Sequence, residues 1–255
     1  MKINVLSDIH CRNKSLPPHL NFDDLEKTDV LVIAGDLGTY PNRDKIVKNI
    51  EEKWGHGNKF DHLVYCWGNH DYYITDRHWL KHHIMKWKPA SVLDNKIWEI
   101  DNVVFLSTTL WTNIRTLVGT ITDGLNDYHL IPNFTVSYNN QLWLDNVKWL
   151  EDKRNYYKNL GKKVVIVTHH LPSPQLISPR YAGSPLNGAF ATLNEYDERR
   201  LLNITPDLWI HGHSHEFLDT TIEGVRHIRN PFGYDWDSID EYKTTGFKLN
   251  TIIEI

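Results

Sequence analysis

Lys163-Val-Val-Ile-Val-Thr168, followed at once by His169-His170, is the stretch on which the fold turns. Val164 to Thr168 is β-branched throughout, which suits a pleated strand, and a run without polar interruption fits a strand covered on both faces of a sheet. Working outward, Lys2–Leu6, Val30–Ala34 and His62–Cys66 read the same way, and Leu208–Ile210 is a shorter run of the kind. Helical spacing separates them over Asp44–Lys53, Arg77–Lys86 and Asn139–Asn159, the last carrying Trp143, Val147 and Leu150 at i, i+4 and i+7. Strands alternating with helices predict an α/β fold. Thr192-Leu-Asn-Glu195 has capping-box spacing and predicts a helix to about Leu202. Beyond it, Thr220–Ile222, Val225–Ile228 and Lys248–Ile255 predict an antiparallel second half.

Each strand run ends in polar residues of one kind. Asp8-Ile-His10 follows the first, Gly35-Asp36 the second, Gly68-Asn69-His70-Asp71 the third, His169-His170 the fourth and Gly212-His213-Ser214-His215 the fifth. Residues at the C-terminal ends of neighbouring strands converge on one crevice, so these groups can meet in space. Alone, any of these motifs is an ordinary turn. Five of them in order, burying carboxylates and imidazoles together, are costly to leave without cations. Carboxylate and neutral imidazole donors without thiolate suit divalent transition ions: Mn foremost, with Fe, Zn, Co or Ni as alternatives. Asp36 is the natural bridge between two such ions roughly 3.5–4 Å apart.

Composition sets the frame for that reading. The 255 residues are 40% hydrophobic, 12% aromatic and 24% charged, which excludes disordered, collagenous and disulfide-scaffold classes. A net charge of −4 gives no general grip on nucleic acid or anionic membrane. Cys11 and Cys66 are too few for a disulfide framework, so a cytoplasmic location is expected. No apolar run is long enough to span a membrane. Fifteen histidines are the unusual number, and six of them fall in the motifs.

The series D-x-H, GD, GNH with D, a strand-terminal H and GH-x-H resembles the signature of the calcineurin-like metallophosphoesterase superfamily. The resemblance covers nearly the whole chain. Leu125-Asn-Asp-Tyr-His129, Pro179-Arg-Tyr181, Ser184-Pro-Leu-Asn187, Pro206-Asp-Leu-Trp-Ile-His-Gly-His213 and Asn230-Pro-Phe-Gly-Tyr234 further resemble small stand-alone bacterial and phage phosphoesterases. It implies a sandwich of two mixed β-sheets flanked by helices, with a dinuclear metal site at the strand ends. Carried over by position, Asp8, His10 and His215 would hold one ion, Asn69, His169 and His213 the other, and Asp36 both. His70 matches the histidine that faces the scissile phosphate, where a metal-bridging hydroxide attacks in line. Asp71 is a further catalytic candidate, orienting His70, with a merely solvated role equally open. Successive strand residues point oppositely, so only one of His169 and His170 is a ligand; His169 is favoured, with His170 at the pocket rim or in a structural role.

The expected function is hydrolysis of a phosphate mono- or diester, on a small phosphorylated substrate, by one domain spanning residues 1–255. Arg180, Tyr181 and Asn230, in loops beside the motifs, are candidate substrate contacts. Two rivals stand beside this. One is a non-catalytic metal-binding interaction module. The other is a nuclease, suggested by Arg77–Lys88, where basic residues interleave with Trp79 and Trp87. An amphipathic helix packing those tryptophans on the sheet is the preferred account of that stretch. Oligomeric state is not legible.

Overall fold

The structure, a computed structural model, describes residues 1–12, 15–40, 42–74, 95–236 and 239–255. The helix expected over Arg77–Lys86, with Trp79 and Trp87, lies outside the described residues. β1 (Lys2–Leu6), β2 (Thr28–Ala34) and β3 (Phe60–Cys66) run parallel, and β10 (Ile252–Glu254) closes the sheet antiparallel to β1. A second sheet is ordered β4 (Lys96–Ile100), β5 (Val103–Thr108), β6 (Lys163–Thr168), β7 (Leu208–Ile210), β9 (Val225–Arg229), β8 (Leu218–Ile222). Within it β5, β6, β7 and β9 are parallel, and β4 and β8 are antiparallel edges.

Period-2 alternation decides how the layers stack. Ile3, Val5, Val30, Val32 and Ala34 meet Phe105, Val165, Val167 and Ile210 in the core between the sheets. The alternate residues face outward. Leu31 and Ile33 pack with Ile46, Ile50 and Trp54 of α1 (Arg43–Trp54). Val104, Leu106, Val164 and Ile166 meet Trp143, Val147 and Leu150 of α4 (Val136–Asn159), the i, i+4, i+7 stripe of the sequence. Each such buried aliphatic side chain contributes about 1.5–3 kcal/mol, so the two sheets and their helices form the expected α/β sandwich.

Short helices α2 (Val118–Gly124) and α3 (Asp127–Leu130) precede α4, and α5 (Glu195–Leu202) precedes β7. The capping-box expectation fails in detail. Asn194, not Thr192, caps α5 by accepting from Asp197 N–H at 3.2 Å, and Thr192 Oγ1 accepts from Asn113 N–H instead. The second half is less antiparallel than expected, because β7 and β9 join β6 in parallel. β8 and β9 do make an antiparallel hairpin, whose Glu223-Gly224 turn has φ of 48° and 83°. Of Lys248–Ile255, only Ile252–Glu254 is strand.

At the site end, β1 and the chain after β9 are stitched together. Ser7 N–H donates to Asn230 O at 3.0 Å and Phe232 N–H to Ser7 O at 2.9 Å. The Asn230 side chain donates to Val5 O and Lys248 O and accepts from Lys248 N–H. Fully buried and spent on three backbone groups, Asn230 is a clamp between strands and not the substrate contact expected of it. Among the described residues, no helix is long and apolar enough to cross a membrane.

Candidate metal centre

The strand ends place the motif residues by means of backbone strain. Asp8, His10, Asp36 and His213 have φ of 51°, 49°, 54° and 68°. Left-handed conformations of such residues cost about 1–3 kcal/mol each and persist only where surroundings over-determine them. Here they do: Asp8 N–H donates to Gly35 O (3.0 Å), His10 N–H to Asp36 O (2.8 Å) and His213 N–H to Asp8 Oδ1 (3.0 Å). The motif glycines belong to the same packing. A Cβ on Gly212 would stand 2.5 Å from Ala34 O and 2.9 Å from Asp8 Oδ2.

The side chains converge as three overlapping groups: Asp8, His10 and His215; His10, Asp36 and His70; and Asp36, His169 and His213. His10 Nε2 lies 3.1 Å from His215 Nε2, which lies 3.4 Å from Asp8 Oδ1. His169 Nε2 is 3.0 Å from Asn69 Oδ1, 3.2 Å from His213 Nδ1 and 3.3 Å from Asp36 Oδ2, and that same Asp36 oxygen is 3.7 Å from His10 Nε2. Donors held at about 2.1 Å from one ion, at 90–110°, stand about 3.0–3.4 Å apart. All the spacings but the 3.7 Å between Asp36 and His10 fall in that range. Carboxylate, amide oxygen and imidazole are also the donor types that divalent transition ions take, so the residues fit such ions.

Outer contacts aim these donors. His169 Nδ1 is 3.0 Å from Ala34 O, and His215 Nδ1 is 2.6 Å from Glu241 Oε2, which fixes each ring. Asn69 Nδ2 donates to Asp127 Oδ1 at 2.7 Å, so the amide oxygen is the atom left facing His169. Tyr73 Oη donates to the same Asp127 oxygen, and its ring lies on His70 with centroids 4.3 Å apart. Asp71 does not touch the His70 ring. Its Oδ2 accepts from Asp36 N–H (2.9 Å) and Gly68 N–H (2.6 Å), and its Oδ1 from Gly38 N–H (3.1 Å) and Tyr65 Oη (2.5 Å). The expectation that it orients His70 directly becomes a buried clamp that ties the two loops bearing Asp36 and Asn69 together.

Charge is distributed accordingly. Burial raises the Asp36 carboxyl, but the facing imidazoles, His169 foremost, outweigh it and hold it well below the usual range. Burial lowers His169 and His215, yet Asp36 lifts the first to about 9, and Asp8 with Glu241 lift the second to about 10. Burial keeps His10, His70 and His213 low. Protons and cations therefore compete for the same nitrogens.

Above the cluster opens a cavity of about 250 Å³, walled in part by Asp36, Asn69, His70, Tyr181, Phe190 and Tyr234. Tyr181 is where it was expected. His170 is not at the rim: it is 1% exposed, its Nδ1 3.2 Å from Thr109 O and its ring against His213 and Trp111. Arg180 points its Nη2 at His215 O (3.1 Å), outside the cavity wall, and lies over the Tyr181 ring. Sequence reasoning missed Asp127, Tyr73 and Glu241. Asp127 sat in a quoted motif without a role; Glu241 had no local signal.

A family model described as calcineurin-like phosphoesterase matches residues 1–217. An uncharacterized protein of Acanthamoeba polyphaga mimivirus is 28% identical over 226 residues, 80% of this chain and 78% of that protein. Among solved structures, a phosphopantetheinyl hydrolase from Mycobacterium tuberculosis has a TM-score of 0.60 at 16% identity, covering 91% of this chain and 89% of that one. A dimetal phosphatase from Danio rerio has a TM-score of 0.48 at 13% identity, covering 89% and 86%. The fold is shared with the first of these structures, and by the family match over residues 1–217 the chain belongs to the calcineurin-like phosphoesterases.

Proposed function

We propose that residues 1–255 form one domain that hydrolyses a phosphate mono- or diester on a small substrate, using two divalent transition ions, Mn foremost. The observation that carries this is Asp36 Oδ2, a single buried oxygen within 3.7 Å of His10 on one side and 3.3 Å of His169 on the other. In this reading Asp8, His10 and His215 hold one ion, Asn69, His169 and His213 hold the other, and Asp36 serves both. Bound there, the ions supply Lewis acidity and a water nucleophile at neutral pH for in-line displacement at phosphorus.

The chain's own residues do the rest. His70 lines the cavity, with its main-chain N–H fixed on Asp36 Oδ1 at 2.9 Å and its Nε2 4.0 Å from Asp36 Oδ2. From that position Nε2 donates to a phosphate oxygen or hands a proton to the leaving oxygen. Tyr234 Oη, 3.5 Å from the same nitrogen, also lines the cavity and orients it. The test is a screen of metal-reconstituted protein against model mono- and diesters, with metal analysis of the same sample. Hydrolysis that Asp36→Asn depresses together with metal content supports the reading; two bound ions without hydrolysis of either ester class favours the interaction module.

A further inference from the structure

Beside the candidate centre lies a second, smaller hollow of about 110 Å³, walled by Leu171, Ile177, Leu186, Tyr181, Phe190 and Ser214. Tyr181, Phe190 and Ser214 also line the cavity over the centre, so the two spaces adjoin. Phe190 forms the partition: its ring lies on the His213 imidazole with centroids 4.3 Å apart and interplanar angle 32°. Ser214, at the junction, is 3% exposed and its buried Oγ has no hydrogen-bond partner. A buried hydroxyl without a partner costs about 1–3 kcal/mol, and a ligand atom in the junction would satisfy it.

The hollow is built before any ligand arrives. Successive turns close its wall: Tyr181 N–H to Ser178 O (2.9 Å), Ser184 N–H to Tyr181 O (3.0 Å), Asn187 N–H to Ser184 O (3.2 Å) and Phe190 N–H to Asn187 O (3.0 Å). Asn187 Nδ2 donates back to Tyr181 O at 2.9 Å, and Leu171 N–H donates to Phe190 O at 3.1 Å. A preformed apolar site loses little ordering entropy on binding.

We propose that this hollow is the specificity subsite for the alcohol portion of the substrate. It takes a compact branched aliphatic group, with a polar atom of the ligand meeting Ser214 Oγ at the junction. The inference rests on the phosphoesterase reading and narrows it. Size sets the class: a dry apolar cavity of about 150 Å³ holds benzene, so one of about 110 Å³ suits an isopropyl or isobutyl group better than an aromatic ring.

The test compares inhibition of model-ester hydrolysis by methylphosphonate and by 3-methylbutylphosphonate, which share a headgroup. Wild type should bind the branched compound about tenfold tighter or better. Ser184→Phe, which fills the hollow, should erase that preference while changing the methylphosphonate constant less than about twofold. Equal inhibition by both compounds in wild type, or a preference that survives Ser184→Phe, overturns the subsite. Should that variant not fold, Ile177→Ala enlarges the hollow instead and must shift the preference toward cyclohexylmethylphosphonate; an unchanged order overturns it. If no ester is hydrolysed, the phosphoesterase reading fails on its own, and calorimetric titration of the two phosphonates decides the subsite without turnover.

Discussion

At the scale of single residues, the side chains that cluster were legible and their supports were not. Asp8, His10, Asp36, Asn69, His169, His213 and His215 each follow a strand, so short motifs locate them. Strand parity lets only one of His169 and His170 face the cluster, and the structure turns His169 to Asp36 and His170 to Thr109. Asp127 and Glu241 reach the centre from 58 and 26 residues beyond the side chains they hold, a distance no local pattern spans. Asp127→Ala frees the Asn69 amide to turn. Its expected effect is a 10–100-fold loss of metal affinity, read by titration against a competing chelator, with the fold intact. Unchanged affinity would remove Asp127 from the account. His70→Ala should instead lower turnover about 10²–10⁴-fold with metal content unchanged; full activity in that variant refutes the role given to His70. Asp71→Ala strips acceptors from three backbone N–H groups and Tyr65. That should cost about 3–5 kcal/mol in urea unfolding, far more than an exposed carboxylate would.

At the scale of elements, apolar runs with turn signals were enough for the central strands. Lys163–Thr168 and Leu208–Ile210 have the expected bounds, and β2 and β3 extend only two residues earlier than their apolar cores. The hairpin of β4 and β5 was missed, although Asp101-Asn102 between Lys96–Ile100 and Val103–Thr108 is a turn signal between two apolar runs. What hid it is that β4 is an edge whose side chains are mostly half-exposed, so its composition reads as mixed. The parallel placement of β7 and β9 was not legible either, because strand direction depends on crossovers through the whole sheet and not on local composition. The cap on α5 was displaced by two residues because Thr192 found a tertiary partner in Asn113. Asn194→Ala should therefore lower stability by about 1 kcal/mol by removal of the acceptor for Asp197 N–H. The same measurement on exposed Asn155 of α4 should show a change within about 0.5 kcal/mol.

At the scale of the whole molecule, histidine governs both stability and function. His227, on β9, is 1% exposed and stacked near Trp209, with neither ring nitrogen hydrogen-bonded. Burial lowers it from 6.5 to about 4. The unfolded chain takes up that proton below about pH 6.5 and the folded chain only near 4, so stability falls as pH drops across that window. The part due to this residue is at most about 3 kcal/mol, and His227→Phe should flatten the pH dependence of urea unfolding between pH 6.5 and 4 by up to that amount. An identical slope in the variant assigns the acid sensitivity elsewhere. The proposed function depends on His10, His70, His169, His213 and His215, which the two sheets bring together around the buried carboxylates of Asp8 and Asp36. That convergence is the central claim, and ester hydrolysis before and after chelation measures it most directly. Exhaustive metal removal should abolish turnover of a model phosphate ester and added Mn should restore it; undiminished turnover by the metal-free protein would contradict the account.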